Sequence, residues 1–223
     1  MPIGPMDATR SPYAKLRTLP LDDVTLIGGL WSQRQSVNRG ISLKHGYEQL
    51  EKAGNFSNLR LAAGEEEGEF RGMRFADSDV YKWLEAVAFE LASVPDPEVQ
   101  RMAEHAIDLV EATQGADGYV NSYWQVVEPD RRWDDVASGH ELYCAGHLIQ
   151  AGIAYHRAIG DSRLLDVSRR FADYIDSVFG PDKRPGTPGH PEIETALIEL
   201  YRHTSDRRYL RLAGYFLDQR GRG

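Results

Sequence analysis

The sequence predicts an all-α protein built as part of an α/α toroid. Apolar residues recur at helical spacing through most of residues 77–217. The helices fall into about three hairpins, whose first members start near residues 77, 140 and 190. A short turn joins the two helices of each hairpin and a longer loop leads to the next, so the first helices should all present their N-termini on one rim.

Three hairpins are half of the usual six-pair ring, so the first and third inner helices would each lack a neighbour. Leaving one large apolar side chain exposed forfeits ~1.5–3 kcal/mol, whereas a whole domain has a net stability of only ~5–15 kcal/mol. We therefore expect an incomplete barrel over residues 41–223, preceded by an irregular N-terminal arm over residues 1–40. Its open edge would be completed by a larger ring or by self-association.

The first part of the chain has weaker helical patterning. Four prolines lie in residues 1–20, and residues 24–27 predict a short strand or an extended segment. A helix is expected over residues 41–52, ended by Gly54. Residues 62–72 read as an acidic, solvated loop.

The first hairpin and the outer helix of the second have recognisable start signals. Asp77 is expected to cap the first inner helix. Asp96, with Pro97 at the first helical position, should start its partner. Asp161 should cap the outer helix of the second hairpin.

Two histidines are predicted at the starts of the other inner helices. Ser138 and Glu141 have the spacing of a capping box, which places His140 in the first turn of a helix. His190 falls at the predicted N-cap position of the third inner helix, followed by Pro191. Free N–H groups and the positive end of the helix dipole face outward there, and a histidine can hydrogen-bond a polar ligand. Two such histidines on one rim predict a ligand site.

The composition narrows the choice of partner. A net charge of −8 argues against a nucleic-acid groove or an anionic membrane surface. No apolar run approaches the ~20 residues of a membrane helix, and the first residues lack the apolar core of a signal peptide. The single cysteine excludes an intrachain disulfide and suits a reducing compartment. We expect a cytoplasmic protein with a neutral substrate.

Six stretches, in order along nearly the whole chain, carry a family resemblance: residues 31–35, 47–52, 77–85, 117–123, 138–149 and 189–194. They resemble glycoside hydrolase family 127 (GH127), the β-L-arabinofuranosidases. The resemblance implies an (α/α)6-barrel catalytic domain followed by β-sandwich domains. It also implies a retaining hydrolase that releases β-L-arabinofuranose, with a zinc-bound cysteine as nucleophile and a glutamate as acid/base.

In that family the zinc ligands, one glutamate and three cysteines, lie downstream of the region matched here, as does the acid/base glutamate. The resemblance therefore implies an N-terminal fragment that has no catalytic or metal-binding residue of its own and is inactive alone. Zinc would be the cofactor of the intact enzyme, and an arabinofuranose-containing oligosaccharide or glycoside its substrate. His140 and His190 match histidines that hydrogen-bond the arabinofuranose hydroxyls.

Four further residues are weaker candidates for sugar contact. Asp77 and Asp79 are carboxylates at the start of the first inner helix, and could bind hydroxyls or act as a glycosidase pair. Tyr119 and Trp124 lie in the loop between the first two hairpins, where aromatic faces could stack on a sugar. Helix capping by Asp77 and packing of the loop onto the barrel are the alternatives.

Cys144 lies one turn after His140 and one turn before His147, which suggests a zinc site on one helix face. His140 and His147 are however two turns, ~10.5 Å, apart on a straight helix, which is too far to share one ion. We therefore expect Cys144 to be a small buried residue.

Two other functions stay open. The chain could be a non-catalytic sugar-binding or assembly module. It could also be a different α/α-barrel sugar enzyme, such as an isomerase or an unsaturated uronyl hydrolase. The latter would often bind an anionic substrate and need a basic pocket, for which the rim offers Arg131, Arg132, Lys183 and Arg184.

Overall fold

A computed structural model describes residues 4–220 of the chain, which fold into α-helices. The helices in order are α1 (Gly29–Val37), α2 (Leu43–Ala53), α3 (Asn55–Ala63), α4 (Asp77–Ser93), α5 (Pro97–Thr113), α6 (Ser122–Val126), α7 (Glu141–Ile159), α8 (Arg163–Val178), α9 (Ile193–Thr204) and α10 (Arg207–Gln219). Within residues 4–220 the sole β-type pairing is an isolated bridge between Phe179 and Arg184. None of the helices described is both long enough and apolar enough to cross a bilayer.

Three helical hairpins make up the body of the molecule. Helix α4 packs on α5, α7 on α8, and α9 on α10. Helices α4, α7 and α9 lie side by side as an inner layer, and α5, α8 and α10 form the outer layer. This arrangement confirms the predicted half-ring of an α/α barrel. The domain boundary at residue 40 stays a prediction.

Helix α5 shows how the sequence specifies an outer helix. The Asp96 carboxylate accepts hydrogen bonds from the Glu98 and Val99 N–H groups, and Pro97 occupies the first helical position, as predicted. One face is apolar and buried: Val99, Ala103, Ala106, Ile107 and Val110. The opposite face is polar, which is the pattern of a helix with one packed side.

Helix α7 is buried over most of its circumference because it has helices on both sides and another behind it. Its backbone approaches α8 closely at Gly152. A Cβ atom there would lie 2.5 Å from Ser168 Oγ and 3.0 Å from the Leu164 carbonyl oxygen. A side chain at this position would therefore push the second hairpin apart.

The N-terminal arm is more helical than predicted. Residues 24–27 form no strand; α1 follows them and continues through a π-helical turn (Asn38–Ser42) into α2. Helix α1 has no buried residue, and Leu30 and Trp31 are 60% and 70% exposed. Residues 29–42 contain no proline that would interrupt the helical hydrogen bonds, and Arg39 of the π-helical turn pairs with Glu90 of α4.

Helix α3 was not predicted. Gly54 ends α2 in the left-handed conformation (φ 92°), as expected, but a new helix begins at the next residue. Phe56 and Leu59 are fully buried against the first hairpin. The acidic loop consequently starts after Ala63 rather than at residue 62.

The N-terminal segment lies across the far ends of α7 and α9. Arg157 Nη1 donates to the Gly4 carbonyl at 2.9 Å. The Asp7 N–H donates to Glu199 Oε2 at 3.0 Å. Arg157 and Glu199 are themselves an ion pair (3.4 Å) whose side chains are 4% and 3% exposed. This buried pair fastens the segment to the inner layer.

Candidate functional site

The two predicted histidines meet at one end of the inner layer. The ring centroids of His140 and His190 lie 5.2 Å apart, although the residues are 50 positions apart in the sequence. His140 immediately precedes α7, and His190 lies in the turn before α9. His140 is half-buried and His190 is exposed, so a ligand could reach both.

Tyr143, one turn into α7, occupies the centre of this cluster. Its ring centroid lies 5.7 Å from that of His140, 5.0 Å from that of His190 and 4.6 Å from that of His147. Phe75 packs against His140 from the other side, at 4.9 Å. The two histidines therefore pack against an aromatic surface formed by Tyr143 and Phe75, which we call the aromatic floor.

A charged pair from α4 lies beside the aromatic floor. Lys82 Nζ is 3.0 Å from Asp79 Oδ1, 3.4 Å from the Tyr143 hydroxyl oxygen and 5.6 Å from the centroid of the Tyr143 ring. Burial lowers the pKa of Lys82, but the hydrogen bond and the charge of Asp79 outweigh it, so the pKa is raised. Lys82 is thus a cation that can donate hydrogen bonds close to both histidines.

His147 and Glu192 line the inner layer below Tyr143. Burial, together with the charge of Lys82, lowers the pKa of His147 to about 4, so this imidazole is neutral at pH 7. Burial and the neighbouring Glu194 raise the pKa of Glu192. His147 Nδ1 and Glu192 Oε1 are 3.6 Å apart, beyond hydrogen-bonding distance. Gly146 allows this approach, because a Cβ atom there would lie 2.7 Å from Glu192 Cγ.

Comparison with known proteins identifies the family of the chain. Residues 23–223 match the family described as "β-L-arabinofuranosidase, GH127 catalytic domain". The chain belongs to glycoside hydrolase family 127. The all-helical hairpins and the rim histidines are thus found in a chain whose relatives are glycoside hydrolases.

Individual GH127 relatives agree with this assignment. A non-reducing end β-L-arabinofuranosidase from Bifidobacterium longum subsp. longum is 46% identical over 171 residues, which are 74% of this chain and 26% of that protein. A GH127 β-L-arabinofuranosidase from Geobacillus stearothermophilus T6 superposes with a TM-score of 0.87 and 45% identity, over 89% of this chain and 33% of that one. A second GH127 β-arabinofuranosidase superposes with a TM-score of 0.86 and 29% identity, over 91% of this chain and 34% of that one. The chain spans about a quarter to a third of the length of these relatives.

The other predicted sugar contacts lie in different surroundings. Asp79 borders the histidine cluster through Lys82. Asp77 is 2% exposed and does not cap α4; its carboxylate accepts from the Ser122 N–H (2.7 Å) and hydroxyl, and so anchors the following loop. Tyr119 and Trp124 are buried in the core, where they pack the loop onto the barrel. The side chains of Asp77, Tyr119 and Trp124 are buried, so none of them offers an accessible surface to a sugar.

Both predicted helix starts next to the histidines are wrong in detail. Ser138 does not cap α7; the N-cap residue is His140, in the left-handed conformation (φ 62°) and without a side-chain cap. Glu141 does not reach back to Ser138, because its carboxylate is bound elsewhere. Helix α9 begins at Ile193, so His190 is not its N-cap. The histidines converge through the turns that precede the helices.

Glu141 instead holds the loop between the first two hairpins. It is 1% exposed, and its carboxylate accepts from the Tyr119 hydroxyl and from the Trp133 N–H (2.8 Å). Burial raises the pKa of Glu141 to about 7, against the lowering effect of these bonds and of Arg132 and Arg184. A carboxyl that is half-protonated near neutral pH therefore lies directly after His140.

The raised pKa of Glu141 predicts a pH-dependent stability. The folded state holds the proton more tightly than the unfolded state, so the stabilisation is complete below pH 4.5 and is lost as the pH rises to about 7. At ~1.4 kcal/mol per pH unit this loss amounts to roughly 3 kcal/mol. Glu141→Gln has no proton to lose. The free energy of unfolding of both proteins should be measured by urea titration between pH 4.5 and 8. Over this range the wild type should lose roughly 3 kcal/mol relative to Glu141→Gln. A difference between the two proteins that does not change with pH would contradict the prediction.

The remaining residues singled out in the sequence are Cys144 and the four basic residues of the rim. Cys144 is buried, as predicted, and burial raises its pKa well above the usual value. The four basic rim residues make contacts away from the histidines. Arg131 pairs with Glu128, Arg132 with Asp117, Arg184 with Asp134, and Lys183 donates to the Asp176 carbonyl. They do not form the basic pocket that an anionic substrate would need.

Two residues of the cluster were missed from the sequence, Tyr143 and Lys82, and His147 was considered there only as a zinc ligand. Tyr143 and His147 lie three and seven positions after His140, which is the spacing of one helix face. That periodicity could also have identified Tyr143. Lys82 has no such signal, because its contact with Tyr143 joins residues 61 positions apart.

Proposed function

We propose that this GH127 chain forms the part of a β-L-arabinofuranosidase that binds sugar hydroxyls, through His140 and His190. The observation that carries the proposal is the convergence of the two imidazoles at an accessible edge of the half-barrel, 5.2 Å apart. The β-L-arabinofuranosidases among its relatives make a β-L-arabinofuranoside the substrate to test.

The hydrogen bonding of His140 suits a hydroxyl ligand. Its Nδ1 lies 2.6 Å from the Ser138 carbonyl oxygen. A carbonyl oxygen can only accept, so Nδ1 must carry a proton, and in the neutral imidazole Nε2 is then an acceptor. A sugar hydroxyl can donate to that Nε2, and a sugar oxygen can accept from Lys82, whose Nζ lies 3.4 Å from the Tyr143 hydroxyl oxygen in the same cluster. The aromatic floor can meanwhile cover apolar C–H surface of the sugar.

The zinc centre implied by the resemblance does not fit the residues of this chain. Cys144 is the one cysteine in the sequence, and it is buried. Residues 4–220 contain no cluster of three or more histidine, cysteine or acidic side chains that could hold a metal ion. We therefore propose that the nucleophile and the metal are supplied from outside this chain, and the resemblance implies the same for the acid/base glutamate.

The chain alone is expected to show no turnover of p-nitrophenyl β-L-arabinofuranoside, because a zinc-bound nucleophile cannot form from its residues. Nitrophenol release should be measured with and without added zinc. Hydrolysis that copurifies with the chain and disappears in His140→Ala would contradict this prediction.

Sugar binding is expected to remain without turnover. Saturation-transfer NMR with methyl β-L-arabinofuranoside should give a signal that His140→Ala and His190→Ala each reduce, by about tenfold in affinity for one lost charge-neutral hydrogen bond of ~1.4 kcal/mol. His45→Ala is the matched control, since His45 is exposed on α2. Equal signals from the control and the two site variants would refute the proposed function.

A further inference from the structure

We propose that Glu141 is a positioning residue that fixes the distance between His140 and His190. Its carboxylate accepts from the Trp133 N–H in the segment that leads to His140, and the Trp133 carbonyl accepts from Arg184 in the loop that leads to His190. The proposal rests on the proposed function only for what the two histidines bind. The positioning itself concerns contacts within this chain.

The first supporting observation is the backbone around Glu141. Three residues other than glycine have positive φ in the described part of the chain: Trp133 (67°), His140 (62°) and Ser205 (64°). Two of the three bound the segment 133–140, which Glu141 closes. Such conformations are sparsely populated for residues with a side chain and persist only where the surroundings hold them. The bond from the Trp133 N–H to Glu141 Oε2 (2.8 Å) does so here.

The second observation is that Trp133 also contacts the loop that leads to His190. The Trp133 carbonyl accepts from Arg184 Nη2 at 2.7 Å. Arg184 lies six positions before His190, and its own N–H donates to the Val178 carbonyl at the end of α8. The peptide groups of Trp133 thus connect Glu141 on one side with Arg184 on the other.

The third observation is the close approach of the two loops beyond this junction. The Gly189 backbone lies so near the Ala137 carbonyl that a Cβ atom on Gly189 would be 2.2 Å from its oxygen. The segment before His140 and the segment before His190 are therefore in backbone contact. A shift of residues 133–140 would therefore act directly on Gly189, the residue before His190.

The chemistry of position 141 provides a graded test. Both carboxylate oxygens are used, one by the Tyr119 hydroxyl and one by the Trp133 N–H. A glutamine can keep both bonds, because its amide oxygen accepts from Trp133 and its NH2 group donates to the Tyr119 oxygen. An alanine keeps neither. A positioning role therefore predicts that Glu141→Gln retains the arrangement and Glu141→Ala loses it.

The experiment measures nuclear Overhauser effects (NOEs) between the imidazole protons of His140 and His190 in the full chain. The wild type should show them, because the ring centroids are 5.2 Å apart. Glu141→Gln should keep their intensity and Glu141→Ala should lose them, while the methyl signals of the α7–α8 core stay in place. Undiminished NOEs in a folded Glu141→Ala, or equal loss in the glutamine and alanine variants, would overturn the proposal.

Arg184→Ala covers the case in which Glu141→Ala does not fold. Its side chain is 43% exposed, so its removal should leave the core intact. The proposal expects weaker NOEs to His190 in this variant, and wild-type intensity would overturn it. Lys183→Ala is the neighbouring control, since Lys183 bonds the Asp176 carbonyl rather than Trp133.

Sugar binding separates this proposal from the proposed function. If both hold, methyl β-L-arabinofuranoside binds at least about tenfold more weakly to Glu141→Ala than to Glu141→Gln, because the two imidazoles are misplaced. If Glu141→Ala loses the NOEs but His140→Ala binds the sugar as the wild type does, the sugar site is refuted and the positioning role stands. If Glu141→Ala keeps the NOEs but His140→Ala loses sugar binding, the positioning role is refuted and the sugar site stands.

Discussion

Glu199→Ala is expected to destabilise the chain by ~3–5 kcal/mol, the usual cost of removing one partner from a buried ion pair. Glu199 receives hydrogen bonds from Arg157, Arg202 and the Asp7 N–H, and its side chain is 3% exposed. Its removal leaves the Arg157 guanidinium buried with the Gly4 carbonyl as its remaining acceptor among residues 4–220. For a chain of this size the melting temperature should fall by roughly 10 °C.

Two comparisons isolate the cause of that loss. Glu48→Ala removes a carboxylate from an exposed pair with Lys52 (61% and 66% exposed), and should leave the melting temperature almost unchanged because water screens the pair. In a double-mutant cycle, Arg157→Ala should be less harmful when Glu199 is already absent, since no buried charge is then left unpaired. Additive losses, or a melting temperature of Glu199→Ala near that of the wild type, would contradict the prediction.

Gly189→Ala is expected to separate the two histidine loops. The new Cβ atom would lie 2.2 Å from the Ala137 carbonyl oxygen and 3.3 Å from its carbon. Both are backbone atoms, so no side chain can rotate away and the loops themselves must move. Overpacking of this kind costs ~1–3 kcal/mol, and we expect the upper end of that range. The NOEs between His140 and His190 should disappear in the same variant.

Gly214→Ala is the matched control for this substitution. Gly214 lies inside α10 with no atom within 4 Å of its would-be Cβ, so alanine should be neutral or stabilise by ~0.5–1 kcal/mol through its higher helix propensity. The melting temperatures and the His140–His190 NOEs of Gly189→Ala and Gly214→Ala should be compared. If both quantities are alike in the two variants, the histidine loops are not in the close contact described.

These variants probe the two ends of the inner layer separately. The Arg157–Glu199 pair lies at the end where the N-terminal segment crosses, and the histidine cluster lies at the end where α7 and α9 begin. Glu199→Ala should therefore reduce stability while leaving the His140–His190 NOEs intact in the folded fraction. Gly189→Ala should change both.

Much of the site could be predicted from the sequence, although the contacts that build it could not. His140 and His190 were placed on one rim by the hairpin pattern, and the structure brings their rings together. The capping box at Ser138 and Glu141 is a local pattern, and it failed because Tyr119 and Trp133 compete for the same carboxylate. A hydrogen-bond partner 22 positions away is invisible to a motif that spans four.

The sequence by itself determined the helical hairpins and their inner and outer layers, because apolar periodicity records which face of a helix is buried. It also indicated the family of the chain, through six stretches that resemble GH127. Only the tertiary structure decided that α3 is a helix, that Asp77 and Glu141 are buried anchors, and that Gly189 lets two loops touch. Each of these depends on which distant atoms come within a few ångströms of one another, and that is settled when the helices pack.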